Sequence, residues 1–322
     1  MAVALQVENL TKELGNRIVL DNMNFEVNQG EIFGIIGMSG SGKTTLLNHL
    51  IGFLEPDEGE IRYHSSRIFN EKNPKELMKL HNNIIEVKKL FGFAPQAPSF
   101  YPKLSVRENL EHFGALHKLH PKEVSENAKH LLGLTKLDGH QDKLAEYLSG
   151  GMQRRLSIMC GLIHKPEILI LDEPTADLDP VLRDETWKLI EAINRMGTTI
   201  IVASHFLEEM ERSCDRVAIL KNGKLLQCGT VLEIEDKFGG DLVEISIDTT
   251  EDYVDALEKN LRSRSIQEVK KERTNLKLYT KDPKDTLVEL ARLMHSGKTK
   301  VLALEVHRPR LRELFKEIAS DD

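Results

Sequence analysis

The chain has 322 residues, enough for two domains, and its 40% hydrophobic and 30% charged content excludes a disordered or fibrous chain. The net charge of −7 is spread along the sequence with no basic stripe, so nucleic acid is not expected as a partner. No stretch approaches the ~20 apolar residues of a membrane helix, so any membrane work is expected to pass through another protein.

The opening residues 1–6 carry neither a basic flank nor a long apolar run, and no signal peptide is expected. Cys160, Cys214 and Cys228 are far apart and fit no metal or disulfide spacing. They are expected as small hydrophobes of a protein kept in a reducing compartment.

In chain order, Val3, Leu5 and Val7 alternate with polar residues, as do Phe25 and Val27, which predicts strands. Ile32 to Ile36 is an apolar run that reads as a buried strand. It leads into Gly37-Met38-Ser39-Gly40-Ser41-Gly42-Lys43-Thr44, followed by Thr45 and a helix over 43–52. Gly37 to Thr44 fit G-x-x-x-x-G-K-[ST], the phosphate-binding loop. Glycines let the backbone curl so that successive N–H groups converge at a helix N-terminus, which already favours anions. Lys43 is expected to reach the β- and γ-phosphates of a nucleotide, and the Thr44 hydroxyl to hold Mg²⁺. A plain glycine-rich turn is the alternative; the strand before and the helix after favour the phosphate loop.

Gly59 to Tyr63 reads as a returning strand, and residues 64–90 as a polar, Lys-rich surface insertion with a helix entry at Asn73-Pro74. Phe91 to Ala94 is a short strand ending at Pro95-Gln96. Ser105-Val106-Arg107-Glu108 is a capping box that opens a helical region running to about His164. Ile168 to Leu171, between Pro166 and Asp172, predicts a buried parallel strand. Asp179-Pro180 caps the next helix. Thr198 to Ala203 and Arg216 to Leu220 are further buried strands. Strands alternating with helices imply an α/β core on a parallel sheet.

A strand ending in Asp172 would set a carboxylate beside the phosphate loop, the usual second Mg²⁺ contact in P-loop NTPases. A carboxylate at Glu173 would be able to polarise an attacking water. An ordinary acidic turn explains the pair equally well when it is taken alone.

After Phe238-Gly239-Gly240 the pattern changes. Val243, Ile245 and Ile247 alternate, residues 266–270 and Leu276/Leu278 predict two more strands, and Leu302, Leu304 and Val306 alternate again. Val254, Leu257 and Leu261 have helical spacing. Asp282-Pro283 caps a helix whose apolar face reads as Leu287, Leu290, Ala291 and Met294. Leu311, Leu314, Phe315 and Ile318 form a last amphipathic helix. The order βαββαβ predicts a small ferredoxin-like α+β domain. Glu244, Ser246, Asp248, Lys277 and Tyr279 are expected on its polar face, and no cluster there suggests a second active site.

Leu148-Ser149-Gly150-Gly151-Met152-Gln153 resembles the LSGGQ signature of ATP-binding-cassette (ABC) ATPases, about twenty residues before Asp172, where that family places it. The resemblance covers residues 1 to about 238. It implies the ABC form of the α/β P-loop NTPase fold, with a parallel-sheet core, an antiparallel β subdomain and a helical subdomain at about 97–165. It also implies domains at 1–238 and 239–322. By the same resemblance Gln96 is the glutamine loop that contacts Mg²⁺ or water, and Ala176-Asp177-Leu178-Asp179 is the D-loop. Glu173 and His205 are then catalytic, with His205 holding Glu173 and the γ-phosphate. Ser149, Gly150, Gly151, Met152, Gln153 and Asp179 would act on ATP held by a second copy of the chain. The family sets an aromatic residue against adenine about two dozen positions before the phosphate loop; Leu14 stands there and offers an apolar cover without aromatic stacking.

Ser204-His205-Phe206-Leu207-Glu208-Glu209-Met210-Glu211, Cys214-Asp215-Arg216-Val217-Ala218 and Val306-His307-Arg308-Pro309-Arg310-Leu311 resemble the ATPase subunits of ABC-2 type exporters. That likeness implies an ATP- and Mg²⁺-dependent ATPase, cytoplasmic and peripheral at the inner face of the cell membrane. It would be docked on a separately encoded transmembrane permease and paired with its own copy. Pro98, Phe100, Tyr101 and Pro102 either form a docking groove for that permease or pack under the helical subdomain. An importer ATPase with a ligand-sensing C-terminal domain is the nearest alternative. A non-transport cassette protein lacks its second cassette or coiled coil here, and a small-molecule kinase would have no use for Ser149-Gly150-Gly151.

Overall fold

The computed structural model describes residues 2–64, 78–239, 243–250, 255, 265–271, 273–295 and 301–307. The chain divides into two compact units, Met1–Gly229 and Thr230–Asp322.

The first unit holds two sheets. β1 (Val3–Leu14), β2 (Arg17–Asn28), β4 (Glu58–Tyr63) and β5 (Met78–Lys79) form an antiparallel sheet in the order β2-β1-β4-β5. On β1, Leu5, Val7 and Leu10 are buried, Gln6 and Glu8 are half-buried and Asn9 is exposed, while Ala4 is buried beside Leu5. This is the pattern of a sheet with one covered face.

β3 (Ile32–Gly37), β6 (Phe91–Ala94), β7 (Ile168–Asp172), β8 (Thr199–Ser204), β9 (Arg216–Lys221) and β10 (Lys224–Gly229) form the second sheet, ordered β10-β9-β3-β8-β7-β6. Five of its strands are parallel, and β10 closes one edge antiparallel to β9. Every residue of β3, β7 and β8 is buried, as strands covered on both faces require. Register matters most here. Ala94 lies beside Leu171, Asp172 beside Ala203, and Ile36 beside Ser204. Parallel pairing therefore delivers the ends of four strands, and the loops that follow them, to one edge of the sheet.

Around these sheets pack α1 (Lys43–Leu50), α2 (Ile84–Val87), α3 (Val106–Leu116), α4 (Pro121–Thr135), α5 (Gly150–Leu162), α6 (Pro180–Arg195) and α7 (Leu207–Ser213). The capping box of α3 is present: Glu108 N donates to Ser105 Oγ at 3.2 Å, and Ser105 N to the Glu108 carboxylate at 2.7 Å. One core joins both sheets, with Phe25 and Phe33 stacked at 5.6 Å, and Leu46, Tyr63 and Ile170 fully buried around them. Each such side chain contributes about 1.5–3 kcal/mol on leaving water. α5 lies directly on β6, where a Cβ on Gly92 would fall 2.0 Å from the Gly161 carbonyl.

The predicted strands and helices of this unit are present. β10 was not predicted, because Lys224 to Gly229 has no apolar alternation; it is half-buried as an edge strand. In the insertion at 64–90, residues 65–77 and the Asn73-Pro74 helix entry lie outside the described residues, and the remainder carries β5 and α2.

The second unit contains α8 (Val231–Gly239), β11 (Val243–Asp248), β12 (Ile266–Lys271), β13 (Asn275–Thr280), α9 (Pro283–His295) and β14 (Ala303–His307). The strands pair antiparallel in the order β12-β13-β11-β14, the ferredoxin-like arrangement. Ile245, Ile247, Leu276, Leu278 and Leu290 make its core. The helices expected on Val254/Leu257/Leu261 and on Leu311/Leu314/Phe315/Ile318 lie outside the described residues.

Two expectations are corrected. α9 buries Thr286 and Leu290, with Leu287 and Leu293 packed against the core, while Ala291 and Met294 are exposed. Leucines at both 290 and 293 fit the sheet at i, i+3 spacing, which turns Met294 outward. Tyr279, expected on a polar face, is only 4% exposed, and Lys270 Nζ stands 4.7 Å from its ring centre. The lysine ammonium over the ring face is a cation–π contact.

Candidate active site

The phosphate loop runs from the end of β3 into α1. Gly40 and Gly42 adopt φ of +81° and +103°, a region open to glycine at no steric cost. A Cβ on Gly37 would lie 2.2 Å from Ser41 Oγ, so that position also requires glycine. No side chain caps α1, and its first-turn N–H groups are left facing the loop concavity. The β1–β2 hairpin lies against the loop, with the Val19 carbonyl 3.0 Å from where a Gly42 Cβ would stand. Leu14, at the end of β1, is 49% exposed, and Met38 and Ser39 are exposed on the loop itself. Thr45 offers its carbonyl to His49 Nδ1 at 2.7 Å.

Lys43 is buried, and its Nζ donates to the carbonyls of Gly37 at 2.7 Å and Met38 at 3.2 Å. The same nitrogen stands 3.5 Å from Glu173 Oε1. Thr44 Oγ1 donates to Asp172 Oδ2 at 3.0 Å. Asp172 Oδ1 is buried with no hydrogen-bond partner. Burial pushes the Asp172 carboxyl above its ordinary value, and the bond from Thr44 opposes this.

Glu173 is buried beside it. Its backbone has φ +47°, and its N–H donates to the Ala203 carbonyl at 2.8 Å. A left-handed conformation at a non-glycine residue costs on the order of 1–3 kcal/mol and recurs at functional sites. Here it turns the carboxylate back over the sheet edge, where Oε2 meets His205 Nδ1 at 2.9 Å. The carboxylate thus bridges the phosphate-loop lysine and a half-exposed imidazole.

Strand register brings the phosphate loop, Asp172, Glu173 and His205 together. Gln96, exposed after β6, reaches that edge by its backbone: its carbonyl accepts from Arg154 Nη1 at 3.2 Å. The signature turn makes its contacts elsewhere. Ser149 caps α5, accepting from Met152 N at 3.4 Å, and Gln153 donates to the Ala145 carbonyl at 3.2 Å. Gly151 is buried against Leu182 of α6, whereas Gly150 is exposed with open space around it. Asp179 Oδ1 caps α6, accepting from the N–H groups of Val181 and Leu182.

Sequence reading passed over two arginines. Arg154, on α5, donates to the carbonyls of Asp172 at 2.6 Å, Pro174 at 3.0 Å and Pro95 at 2.6 Å, besides Gln96. Its five donors in a rigid fork suit such a cluster of carbonyls. Burial lowers its pKa to about 10, still charged at neutral pH. The one signal in the sequence is the Arg154-Arg155 pair directly after the signature, at the start of a helix whose later turns are buried. Arg183, on α6, donates Nε–H to the Leu178 carbonyl at 2.8 Å and stands 3.7 Å from Glu209.

Residues 20–176 match the family model described as ABC transporter. The Nod factor export ATP-binding protein I of Sinorhizobium fredii is 35% identical over 244 residues, which cover 76% of this chain and 68% of that protein. The structure of cbiO1 from Clostridium perfringens, part of the ABC transporter complex cbiONQ, superposes with a TM-score of 0.63 at 30% identity, covering 73% of this chain and 91% of that one. A dimeric ATP-binding cassette in a post-hydrolysis state with ADP and Pi gives a TM-score of 0.59 at 25% identity, covering 70% and 98%. A glycine-built phosphate loop after β3, a buried Asp-Glu pair at the end of β7, two strands away in the same sheet, and these likenesses agree: the chain belongs to the ABC transporter ATP-binding subunits, a family of ATPases, and is homologous to their exporter members.

Proposed function

We propose that this chain hydrolyses Mg-ATP at sites shared between two copies of itself and so powers export through a separately encoded membrane permease. The single observation that carries the chemistry is Glu173, buried and held between Lys43 and His205. In this reading Gly37 to Thr45 cradle the phosphates with backbone N–H groups, and Lys43 leaves the Gly37 and Met38 carbonyls for the β- and γ-phosphates. Glu173 orients the attacking water and takes up its proton. His205 fixes the Glu173 carboxylate and, half-exposed, faces the γ-phosphate.

The Thr44 hydroxyl and the unpartnered, buried Asp172 Oδ1 form an all-oxygen set suited to Mg²⁺, with Gln96 as a further contact. Held by these residues, Mg²⁺ would supply charge neutralisation at the phosphates. Ser149, Gly150, Gly151, Met152 and Gln153 would present the start of α5 to the other copy's ATP, with Asp179 at the same boundary. The exposed Gly150 supports this, since it leaves the helix end open to a phosphate. Leu14 would cover the base.

Among the described residues no helix is long and apolar enough to cross a membrane. By its family the chain is read as peripheral at the cytoplasmic face, with residues 1–238 as the cassette and 239–322 as an accessory module. The export assignment draws on the relative's name, and the permease on the complex from which the superposed cassette comes.

Glu173→Gln tests the chemistry. ATP binding should persist while hydrolysis falls by roughly 10²–10⁴. ATP would then stay trapped between protomers, and sizing chromatography in ATP should show a dimer. Full turnover by this variant removes Glu173 from the mechanism.

A further inference from the structure

A chain of contacts behind the site joins the D-loop to His205. The His205 ring lies 4.1 Å from the Phe206 ring. On Phe206 rests the Arg183 guanidinium, 4.1 Å from the ring centre. Arg183 Nε–H donates to the carbonyl of Leu178, inside the D-loop. Its Nη1 stands 3.7 Å from Glu209 Oε1. Glu209 Oε2 accepts from Thr175 Oγ1 at 2.6 Å and from Trp187 Nε1 at 2.7 Å. Thr175 and Trp187 are fully buried, which fixes the carboxylate, which in turn fixes the guanidinium.

We propose that Arg183, Phe206 and Glu209 are positioning residues that make the orientation of His205 depend on the position of the D-loop. None of the three reaches the phosphate loop. A planar guanidinium is suited to the task because it stacks by its face and hydrogen-bonds by its edge at once. If the D-loop moves when a second copy docks, the Leu178 carbonyl pulls on Arg183. The Phe206 ring beneath it then tilts, and the imidazole with it. Pairing would thereby be reported to the histidine that holds Glu173. This rests on the proposed roles of His205 and the D-loop.

The test is a double-mutant cycle on purified full-length chain, with ATPase kcat and KM measured for Arg183→Ala, His205→Ala and the pair. Arg183→Ala should lower kcat about tenfold with KM changed less than about twofold, and should add nothing further in the His205→Ala background. Phe206→Leu, which stays apolar without a ring face, should do the same, while Phe206→Tyr keeps activity. Glu209→Gln keeps acceptors for Thr175 and Trp187, so it should fold normally and lose kcat through Arg183 alone. These partially exposed positions keep the cycle readable if Arg183→Ala fails to fold. Losses that multiply in the double mutant, or a KM that rises with kcat unchanged, overturn the link while leaving His205 in place. A His205→Ala chain with undiminished kcat overturns the underlying reading of His205, and the link with it.

Discussion

Asp172, proposed above as a Mg²⁺ contact, shows at the scale of one residue the conflict that a buried carboxylate sets up. It is buried, one oxygen is held by Thr44, and the other has no partner. Its folded-state pKa is raised, chiefly by desolvation, so above the ordinary carboxylate range the ionised side chain costs stability. The folded chain binds the extra proton in the window between the ordinary and the raised pKa, so stability falls as pH rises through that window. Asp172→Asn removes the charge while keeping a partner for Thr44. At pH 7 its melting midpoint should exceed that of the parent by roughly 2–4 °C for each kcal/mol recovered, and the gain should vanish below about pH 4. Hydrolysis should be lost and Mg-ATP should stabilise the variant less. Differential scanning calorimetry at the two pH values checks this; a midpoint lower than the parent's at pH 7 refutes the account.

The start of α5 carries the claim that the sites are shared, and glycine geometry there separates a steric test from an electrostatic one. Gly151 is packed against Leu182, so a side chain there would damage the fold as well as the function. Gly150 has no atom within 4 Å of its would-be Cβ. Gly150→Asp should therefore fold as well as the parent. A carboxylate in the first turn of a helix adds about 0.3–1 kcal/mol, so it should even melt slightly higher. Facing a phosphate, the same carboxylate repels it. Pure Gly150→Asp protein should be nearly inactive, as should Lys43→Ala. An equal mixture should recover turnover in the mixed dimers, each retaining one intact composite site. Parent-level turnover by Gly150→Asp alone would sink the shared site. α9 teaches a related lesson: its core-facing side is decided by which of Leu293 and Met294 fits the sheet, and Leu293 packs.

On the scale of the whole molecule, every residue of the proposed nucleotide site precedes Phe206, whereas Ile245, Ile247, Leu276, Leu278 and Leu290 form a core of their own. Truncation after Gly240 should leave a chain that folds, binds ATP and hydrolyses it to some degree, while coupling to a permease or oligomer stability declines. Thermal unfolding of the truncated chain with and without Mg-ATP measures this. A chain that neither folds nor gains stability from Mg-ATP would make the C-terminal residues part of the cassette.

By itself the sequence singled out the positions proposed to carry the chemistry, by local pattern taken together with the family resemblance. Gly37 to Thr44 need glycines at fixed offsets, Asp172-Glu173 end an apolar run, and Ser204-His205 end another. The four-stranded order of the C-terminal sheet was legible for the same reason, from strand and helix periods taken in sequence. Tertiary structure alone decided what holds those positions. Arg154 reaches carbonyls about 18 to 59 residues away, and Glu209 gathers Thr175, Arg183 and Trp187 from 34, 26 and 22 residues upstream. No period or spacing encodes such bonds, since they arise only when parallel pairing sets distant strand ends side by side. The burial of Tyr279 and the edge strand β10 belong to the same class, being settled by what packs beside them rather than by their own side chains.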